Sequence, residues 1–256
     1  MNDHSELTIK EKQSIILEIM KDIDRFCRTN GIPYTISSGT LLGAVRHGGF
    51  IPWDDDADMF MLRDDFERFI KIYKSDRYKL VFNFEGGDKS SPSGIAKIAD
   101  VSTGSKDSTG QLDYGVWVDV FPLESVPEDP DECHKFMHKI LRVNNRLYHR
   151  RKHDLLSIIK SYHHSYAWWL KRLNEIVHNN PYTDSPLVAH AVGSSNYRTV
   201  IPKKWFDNLG EIRFEDYDFM AFRDTDSYLT KVYGPDYMTP KKWNHDVKVY
   251  RKDVNE

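Results

Sequence analysis

The most regular hydrophobic pattern in the chain lies near the N-terminus and predicts a helix. Apolar residues recur there at intervals of three and four positions, at Ile16, Ile19, Ile23 and Phe26. This spacing places them on one face of a helix. Thr8 followed by Glu11 is a capping-box pattern, so the helix is expected to begin beside it. Asn30-Gly31 is expected to end it.

Shorter apolar runs follow, and they alternate between strand and helix patterns. Strands are predicted at residues 34–37, 56–62, 78–84, 95–101 and 115–121, and a helix at residues 64–73. After the first strand, Ser38-Gly39-Thr40 is predicted as a turn and residues 41–45 as a helical turn. The mixture predicts an α+β fold, in which a small mixed sheet is flanked by helices.

The second half of the chain has a different character. Residues 131–179 follow a helical and basic pattern, and the residues after them are rich in proline and aromatic side chains. No internal repeat is present. We therefore divide the chain into a mixed core (1–130), a basic, aromatic helical segment (131–180), a C-terminal part (181–248) and a polar tail (249–256).

Composition narrows the class of protein. The net charge of −3 over 256 residues gives the molecule no general preference for nucleic acid. Two cysteines, Cys27 and Cys133, are too few for a disulfide framework or a four-thiolate zinc site. The N-terminus lacks a signal-peptide pattern, and no run approaches the roughly 20 apolar residues of a membrane span. We expect a cytoplasmic protein, at most peripheral at the inner face of the membrane.

An acidic cluster is the clearest sign of chemistry. Trp53-Asp54-Asp55-Asp56-Ala57-Asp58 holds four carboxylates in five positions, and their repulsion favours a bound cation. In an extended chain Asp54, Asp56 and Asp58 share one side while Asp55 faces elsewhere. Such hard oxygen ligands suit Mg²⁺ or Mn²⁺. A solvated acidic turn would explain the same run. A calcium loop of the EF-hand type is excluded, because Met59 occupies the position that needs glycine.

Asp119 is the predicted third source of a carboxylate. It lies among valines in the strand pattern Val116-Trp117-Val118-Asp119-Val120-Phe121. A lone charge in a core strand is costly unless it is paired or binds a metal ion. An outward-facing position is the alternative. Together with Asp56 and Asp58, the metal interpretation is the better one.

The sequence resembles the LicD family over most of its length. The resemblance is carried first by SGTLLGAVRH at residues 38–47 and GFIPWDDDAD at 49–58. It continues through GIAKI at 94–98, DVFPL at 119–123, FEDY at 214–217, YL at 228–229 and YGPDYM at 233–238. The sequence departs from the family pattern at Ala221-Phe222 and at Pro235, which bears on the acceptor or choline pocket and leaves the metal motif intact.

The resemblance implies a metal-dependent phosphotransferase on a nucleotidyltransferase fold. Bacterial members attach phosphocholine from CDP-choline to teichoic acid, lipopolysaccharide or another surface glycan, and fukutin-type relatives transfer ribitol phosphate. By this resemblance residues 1–130 are the catalytic core, and residues 181–248 complete the catalytic or acceptor site. Asp56 and Asp58 are then the metal pair, Asp119 the third acid and Asp54 an additional ligand.

The remaining roles follow from the chemistry of phosphoryl transfer. Backbone N–H groups at Ser38, Gly39 and Thr40 are suited to cradle a phosphate, although an ordinary glycine turn is the alternative. Arg46 is suited to stabilise the leaving cytidine phosphate, with a surface ion pair as the alternative. Lys97 is a second phosphate candidate. Asp119 is also the expected base for the sugar hydroxyl, whereas His47 is expected to be structural.

A choline head group would need aromatic faces, because a quaternary ammonium forms no conventional hydrogen bonds. The candidates are Trp53, Trp117, Trp205, Tyr233, Tyr237 and Trp243. The sequence does not choose among them, and each is more often a core residue.

Two other functions share part of this evidence. One is nucleotidyl transfer to a small molecule with release of pyrophosphate, and the other is a non-catalytic module that binds a metal or a glycan. The helical segment adds a further question, because residues 139–172 contain nine basic residues and one acid, a net charge of +8. This composition fits a helix at an anionic membrane surface or near a lipid-linked acceptor. A helical cap on the core is the alternative.

Overall fold

The computed structural model describes residues 6–82, 94–105, 115–151, 164–192, 197–240 and 249–251. The α-helices in this part are α1 (Ile9–Asn30), α2 (Ser38–His47), α3 (Arg63–Ile72), α4 (Pro130–Arg151), α5 (Tyr166–His178) and α6 (Thr225–Tyr233). The strands are β1 (Thr35–Ile36), β2 (Asp58–Leu62), β3 (Tyr78–Val81), β4 (Ala96–Asp100), β5 (Thr103–Ser105), β6 (Trp117–Ser125), β7 (Leu187–Ala189), β8 (Val200–Pro202), β9 (Leu209–Phe214), β10 (Tyr217–Phe222) and β11 (Val249–Arg251). Two 3-10 helices span Tyr197–Thr199 and Lys203–Asn208.

The central sheet is mixed, which confirms the predicted α+β class. Its strand order is β1-β2-β6-β4-β3, and β7 and β8 continue it from the end of β6. β2 and β6 are parallel, whereas the other pairs in this sheet are antiparallel. The core strands are apolar on both sides, with Met59, Phe60, Val118 and Val120 all buried. Asp58 and Asp119 stand at the start of the β2–β6 pairing.

Helix α1 forms as the sequence predicts. Thr8 accepts a hydrogen bond from the Glu11 N–H, and the Glu11 carboxylate accepts one from the Thr8 N–H at 2.9 Å. Gly31 ends the helix in the left-handed conformation, with φ of 59°. The predicted apolar face is buried at Ile16, Ile19 and Ile23. Two polar residues near the N-terminal end of the helix, Lys12 and Gln13, are also buried.

A buried polar cluster fastens α1 to the β9–β10 hairpin. The Asp24 side chain is 0 % exposed. It accepts hydrogen bonds from Arg28 Nε at 2.8 Å, from the Tyr34 hydroxyl at 2.5 Å and from the Tyr217 hydroxyl at 2.8 Å. These donors offset the cost of burying the carboxylate. Arg28 also reaches Glu211 on β9 at 2.6 Å, so the hairpin is held against the helix at both of its strands.

The structure corrects three predicted boundaries. Ser38-Gly39-Thr40 is the first turn of α2, because the left-handed φ of 49° at Ser38 lets the chain enter the helix directly. β2 begins at Asp58, since the preceding aspartates lie in a loop that bonds to α1. Val249 is buried against Gly115 and accepts the Leu7 N–H at 2.8 Å. Residues 249–251 therefore belong to the fold, although they were placed in the polar tail.

Helices α4 and α5 pack against each other around a second hydrophobic cluster. Leu147 and Leu170 are buried in it, and Tyr166 and Trp169 pack at its edge. Trp168 is 41 % exposed. In the described part, most apolar side chains of the basic segment therefore join the two helices, as a helical cap would. Residues 152–163 of this segment lie outside the described residues, and membrane contact stays a prediction.

None of the described helices combines the length and the apolar character that crossing a bilayer requires.

His190 is a half-buried titratable group just after β7, and its Nε2 atom is buried. Its ring lies 4.3 Å from the Phe121 ring and 5.4 Å from the Phe60 ring, measured between centroids. Its Nε2 atom has no hydrogen-bond partner within the described part of the chain. Burial lowers the pKa of His190 from 6.5 to about 4. The folded protein therefore holds this histidine neutral at pH values where the unfolded chain protonates it.

We predict that His190 makes the fold less stable as the pH falls from about 6.5 towards about 4. The unfolded state binds the extra proton in that window, so the free energy of unfolding should drop by about 2 kcal/mol between pH 7 and pH 5. Denaturant unfolding of wild type and His190→Leu at both pH values measures the difference. The exposed His134, replaced in the same way, is the control. An equal drop in wild type and His190→Leu would contradict the prediction.

Candidate functional site

A cavity of about 690 Å³ lies where α2, the aspartate loop (residues 51–58) and α6 meet. The aspartate loop and the start of α2 supply its acidic and backbone polar groups. Its aromatic and aliphatic side chains come from α2 and the aspartate loop as well as from α6 and the residues after it. The lining residues are Ser38, Gly39, Leu42, Arg46, Ile51, Trp53, Asp54, Asp56, Asp58, Arg198, Val232, Tyr233, Tyr237 and Thr239.

The N-terminus of α2 opens into this cavity. The Ser37 side chain makes no capping hydrogen bond to the helix, and the Ser38 N–H donates to the Tyr228 hydroxyl at 3.2 Å. At Gly39 an added Cβ would lie 2.9 Å from Asp54 Oδ2, so only glycine allows the carboxylate to approach this closely. The N-terminal end of a helix carries a partial positive charge, which stabilises anions such as this carboxylate or a phosphate.

Two side chains of helix α1, Lys12 and Gln13, bind the aspartate loop. Lys12 Nζ and Asp55 Oδ2 form an ion pair at 3.1 Å, with both side chains 5 % exposed. Gln13 Nε2 donates to the backbone carbonyls of Ile51 at 3.2 Å and Asp54 at 2.9 Å. Asp55 does not line the large cavity with Asp54, Asp56 and Asp58, but it shares the smaller cavity described below with Asp56.

Asp58, Asp119 and Lys97 form a row across three neighbouring strands. Asp119 on β6 has two register partners. Asp58 lies beside it on β2, and Lys97 lies beside it on β4. Lys97 Nζ donates to Asp119 Oδ1 at 2.6 Å, and Trp117 Nε1 donates to Asp119 Oδ2 at 3.1 Å. The ammonium group also lies 4.0 Å from the centroid of the Trp117 ring. Asp119 is thus paired, which satisfies the requirement for a charge in a core strand.

The pKa of Asp58 is affected by burial and by the neighbouring carboxylates. Burial raises the pKa of Asp58 well above its ordinary value, and the negative charges of Asp56 and Asp119 raise it further. A hydrogen bond from Ser38 acts in the opposite direction. Thr40 contributes from inside the protein, where its Oγ1 accepts the Asp58 N–H at 2.8 Å. Thr40 is buried and does not line the cavity.

The acidic residues suit a divalent metal ion by their chemistry and by their crowding. Carboxylate oxygens are the ligands that Mg²⁺ prefers, and a cation would relieve the repulsion that raises the pKa of Asp58. Within the described residues, no three acidic, histidine or cysteine side chains already surround a metal position. The residues therefore fit the ion chemically, while Asp119 is engaged by Lys97.

Arg46 and Arg198 bring positive charge to the same cavity. Arg46 lies in the last turn of α2, and its Nη1 donates to the Tyr237 carbonyl at 2.9 Å. Burial lowers the pKa of Arg46. His47 is exposed and lies outside the cavity lining. Its Nδ1 accepts from Arg46 Nε at 3.4 Å, which fits the structural role expected for it.

The six aromatic candidates separate in the structure. Trp53, Tyr233 and Tyr237 line the large cavity together. Trp117 instead lines a smaller cavity of about 190 Å³, and Trp205 packs against the Phe222 ring in the core. Trp243 lies outside the described residues. The large cavity therefore combines three aromatic faces with three carboxylates.

The smaller cavity adjoins the acidic cluster on its other side. Asp56 borders both cavities, and Asp119 borders only the smaller one. Lys12, Asp55 and Trp117 complete its polar wall. The predicted metal ligands thus stand between two spaces, whereas Lys97 lines neither of them.

Sequence reasoning missed several residues that shape the site. Arg198 lies in the first 3-10 helix, far from every motif, and no local signal marks it. Tyr228 was noted only as part of a motif, and Lys12 and Gln13 occupy polar positions at the start of a helix. Their burial at 4 % and 3 % is the signal that singles out the last two.

Comparison with known proteins gives a consistent assignment. Residues 31–139 match the family model described as LicD/FKTN/FKRP, nucleotidyltransferase domain. This range contains α2, the aspartate loop, Lys97 and Asp119. The chain is 28% identical over 248 residues to the lipopolysaccharide cholinephosphotransferase LicD of Haemophilus influenzae, and the match covers 91% of this chain and 92% of that protein.

Shorter matches point the same way. The chain is 49% identical over 35 residues to the ribitol 5-phosphate transferase FKRP of Homo sapiens, which covers 14% of this chain and 7% of that protein. It is 42% identical over 79 residues to an uncharacterized protein of Rickettsia typhi, covering 29% and 26%. Residues 31–139 are therefore similar to the nucleotidyltransferase domain of the LicD/FKTN/FKRP family, and the similarity to LicD itself extends over most of the chain.

Proposed function

We propose that this protein is a metal-dependent phosphotransferase that moves phosphocholine from CDP-choline to a sugar hydroxyl of a cell-surface glycan. Lipopolysaccharide and teichoic acid are the acceptor classes we have in mind, and we place the reaction in the cytoplasm. The observation that carries the proposal is the large cavity, which carboxylates, a helix N-terminus and arginines line together with three aromatic side chains. The relationship to a lipopolysaccharide cholinephosphotransferase supports it.

The acidic side of the cavity fits the diphosphate of the donor. Mg²⁺ or Mn²⁺ would be held by Asp56 and Asp58, with Asp54 and Asp119 as further ligands, and would supply charge neutralisation at the phosphates. Backbone N–H groups at the start of α2 bind and orient the phosphate oxygens. Arg46 contributes a planar pair of donors, which suits the leaving phosphate.

Asp119 is placed to serve the acceptor. It lines the smaller cavity, which it shares with Asp56, and it does not line the large one. In an in-line displacement the attacking oxygen enters opposite the oxygen that leaves. In this proposal the sugar hydroxyl enters from the smaller cavity, Asp119 accepts its proton and CMP leaves. Lys97 positions the Asp119 carboxylate through their 2.6 Å contact. In this proposal Lys97 is a positioning residue more than a phosphate ligand.

The aromatic side fits the head group. A quaternary ammonium binds to the faces of aromatic rings, and Trp53, Tyr233 and Tyr237 supply them in one cavity. Asp54 and Asp56 add negative charge nearby. Ribitol or glycerol would instead need hydrogen-bond partners along this wall. This difference favours choline over the other alcohols.

We predict release of CMP from CDP-choline, and weaker or no release from CDP-ribitol and CDP-glycerol. The assay measures CMP with each donor, in the presence of Mg²⁺ and a lipopolysaccharide or teichoic acid acceptor. CTP serves as the control donor for nucleotidyl transfer. Pyrophosphate from CTP, with no CMP from any CDP-linked donor, would favour the nucleotidyltransferase alternative. No turnover of any donor would favour a binding module.

We predict that Asp58→Asn folds normally and loses nearly all transfer activity, because the substitution removes a carboxylate from the metal pair. Thermal unfolding and kcat with saturating Mg²⁺ measure the two effects separately. Asp64→Asn, on the exposed side of α3, is the matched control.

Chelation with EDTA should abolish transfer and added Mg²⁺ or Mn²⁺ should restore it. Activity that survives exhaustive chelation would show that the acidic cluster is structural.

We predict that Arg46→Lys lowers kcat/KM for CDP-choline strongly although the charge is kept. A lysine cannot both bond to the Tyr237 carbonyl and present a planar pair of donors to phosphate. Arg172→Lys, in an exposed ion pair on α5, is the control for the loss of a guanidinium. A change of less than about threefold, below 1 kcal/mol of transition-state stabilisation, would indicate that Arg46 is only a surface residue.

A further inference from the structure

The turn between β9 and β10 has an unusual residue at its centre. Phe214 and Tyr217 are register partners, so Glu215 and Asp216 are the two central residues of the turn. Glu215 has φ of 54°, and Asp216 is not among the positive-φ residues. A two-residue turn of this kind prefers glycine at its first central position. A glutamate that tolerates this conformation indicates that its side chain has a task.

The task visible in the structure is to hold the chain just before the aspartate loop. Glu215 Oε1 accepts the Phe50 N–H at 3.0 Å, and the Glu215 N–H donates to the Gly48 carbonyl at 2.8 Å. The Phe214 ring packs edge-on against the Phe50 ring, with centroids 4.7 Å apart. Two hydrogen bonds in opposite directions and one ring contact thus join the turn to residues 48–50.

Glycines make this contact close. An added Cβ at Gly49 would lie 2.2 Å from Glu215 Oε1, so no other residue fits there without moving the carboxylate. On the other side of the same segment, an added Cβ at Gly43 would lie 2.4 Å from the Gly49 carbonyl oxygen. Residues 48–50 are therefore clamped between the backbone of α2 and the Glu215 side chain.

The hairpin itself is a fixed base for this clamp. Tyr217 bonds to the buried Asp24 at 2.8 Å, and Asp216 pairs with Lys21 at 2.9 Å. Both partners lie on α1, the helix that also supports the aspartate loop through Lys12 and Gln13. Helix α1 thus positions the aspartate loop directly through Lys12 and Gln13. It also positions residues 48–50, which lead into the loop, indirectly through the hairpin.

We propose that Glu215 is a positioning residue that sets the carboxylates of the aspartate loop by accepting the Phe50 N–H. The segment that it clamps leads directly to Ile51, Trp53, Asp54 and Asp56, which line the large cavity. Among the described residues that line the two cavities Glu215 is absent, so it acts through the loop. The proposal rests on the phosphotransferase function for its effect on rate.

Two substitutions separate this role from others. Glu215→Gln keeps an acceptor oxygen for the Phe50 N–H and removes the charge. Glu215→Gly suits the positive φ of the turn and removes the acceptor. We expect Glu215→Gln to keep kcat within about threefold, and Glu215→Gly to lose about 30- to 100-fold, the scale on which a shift of about 1 Å affects catalysis. Asp218→Ala, which removes an exposed ion pair with Arg213 on the same hairpin, should keep wild-type activity.

The stability and the amide exchange of the variants provide readouts independent of turnover. The Tm of Glu215→Gly should stay within a few degrees of wild type, since glycine relieves the turn as it loses the bond. Hydrogen exchange of the Phe50 amide should accelerate at least about tenfold in Glu215→Gly and remain slow in Glu215→Gln.

The outcomes distinguish this proposal from the proposed function. Equal loss of CMP release in Glu215→Gln and Glu215→Gly would overturn the role as an acceptor and indicate a requirement for the charge. Full activity in Glu215→Gly would overturn positioning altogether. If wild type releases no CMP from CDP-choline, the proposed function fails. Exchange of the Phe50 amide then decides the clamp alone: slow exchange in Glu215→Gly overturns it, and fast exchange supports it.

Discussion

Repulsion among closely spaced carboxylates is the constraint on which the site depends. Asp54, Asp55, Asp56 and Asp58 lie within five positions, and Asp119 is the register partner of the last. The fold gives separate support to several of them. Lys12 pairs with Asp55, the N-terminus of α2 faces Asp54, and Lys97 pairs with Asp119. At Asp58, burial raises the pKa most, and the negative charges of Asp56 and Asp119 raise it further. A divalent cation is the group that this imbalance would favour.

The same constraint explains why α1 is central to the architecture. A loop that carries so much negative charge would open outward unless its backbone were held. Gln13 fastens its carbonyls, and Lys12 compensates one of its charges at a buried position. The Asp24 cluster fixes the β9–β10 hairpin to the same helix, and Glu215 at the hairpin turn reaches the residues that enter the loop. Helix α1 therefore positions the aspartate loop both directly and through the β9–β10 hairpin.

Features of the site that depend on local spacing could be predicted from the sequence, and features that depend on distant contacts could not. The capping box follows from local spacing, and the need of Asp119 for a partner follows from the cost of burying a charge; that the partner is Lys97 does not follow from either. The strand start at Asp58 was misplaced, because the loop exchanges strand pairing for bonds to α1. Arg198 and Glu215 act across the fold: Glu215 meets Phe50 at a separation of 165 residues. No local sequence pattern encodes such a contact. In the structure, the left-handed backbone conformation of Glu215, which is unfavourable for a residue other than glycine, indicates it.

The two sides of the large cavity come from different parts of the chain, and this division bears on specificity. The phosphate side is built from α2 and the aspartate loop, inside the domain matched at residues 31–139. Most of the opposite wall, Val232, Tyr233, Tyr237 and Thr239, comes from α6 and the residues after it, outside that domain. Relatives of this chain are named for the transfer of choline phosphate and of ribitol 5-phosphate. Since both reactions need the same handling of a phosphate, the acidic side can stay unchanged between them. Under the proposed function, the choice of alcohol would fall mainly to the residues of the C-terminal part, where rings suit a quaternary ammonium and hydroxyl-rich alcohols would need polar partners.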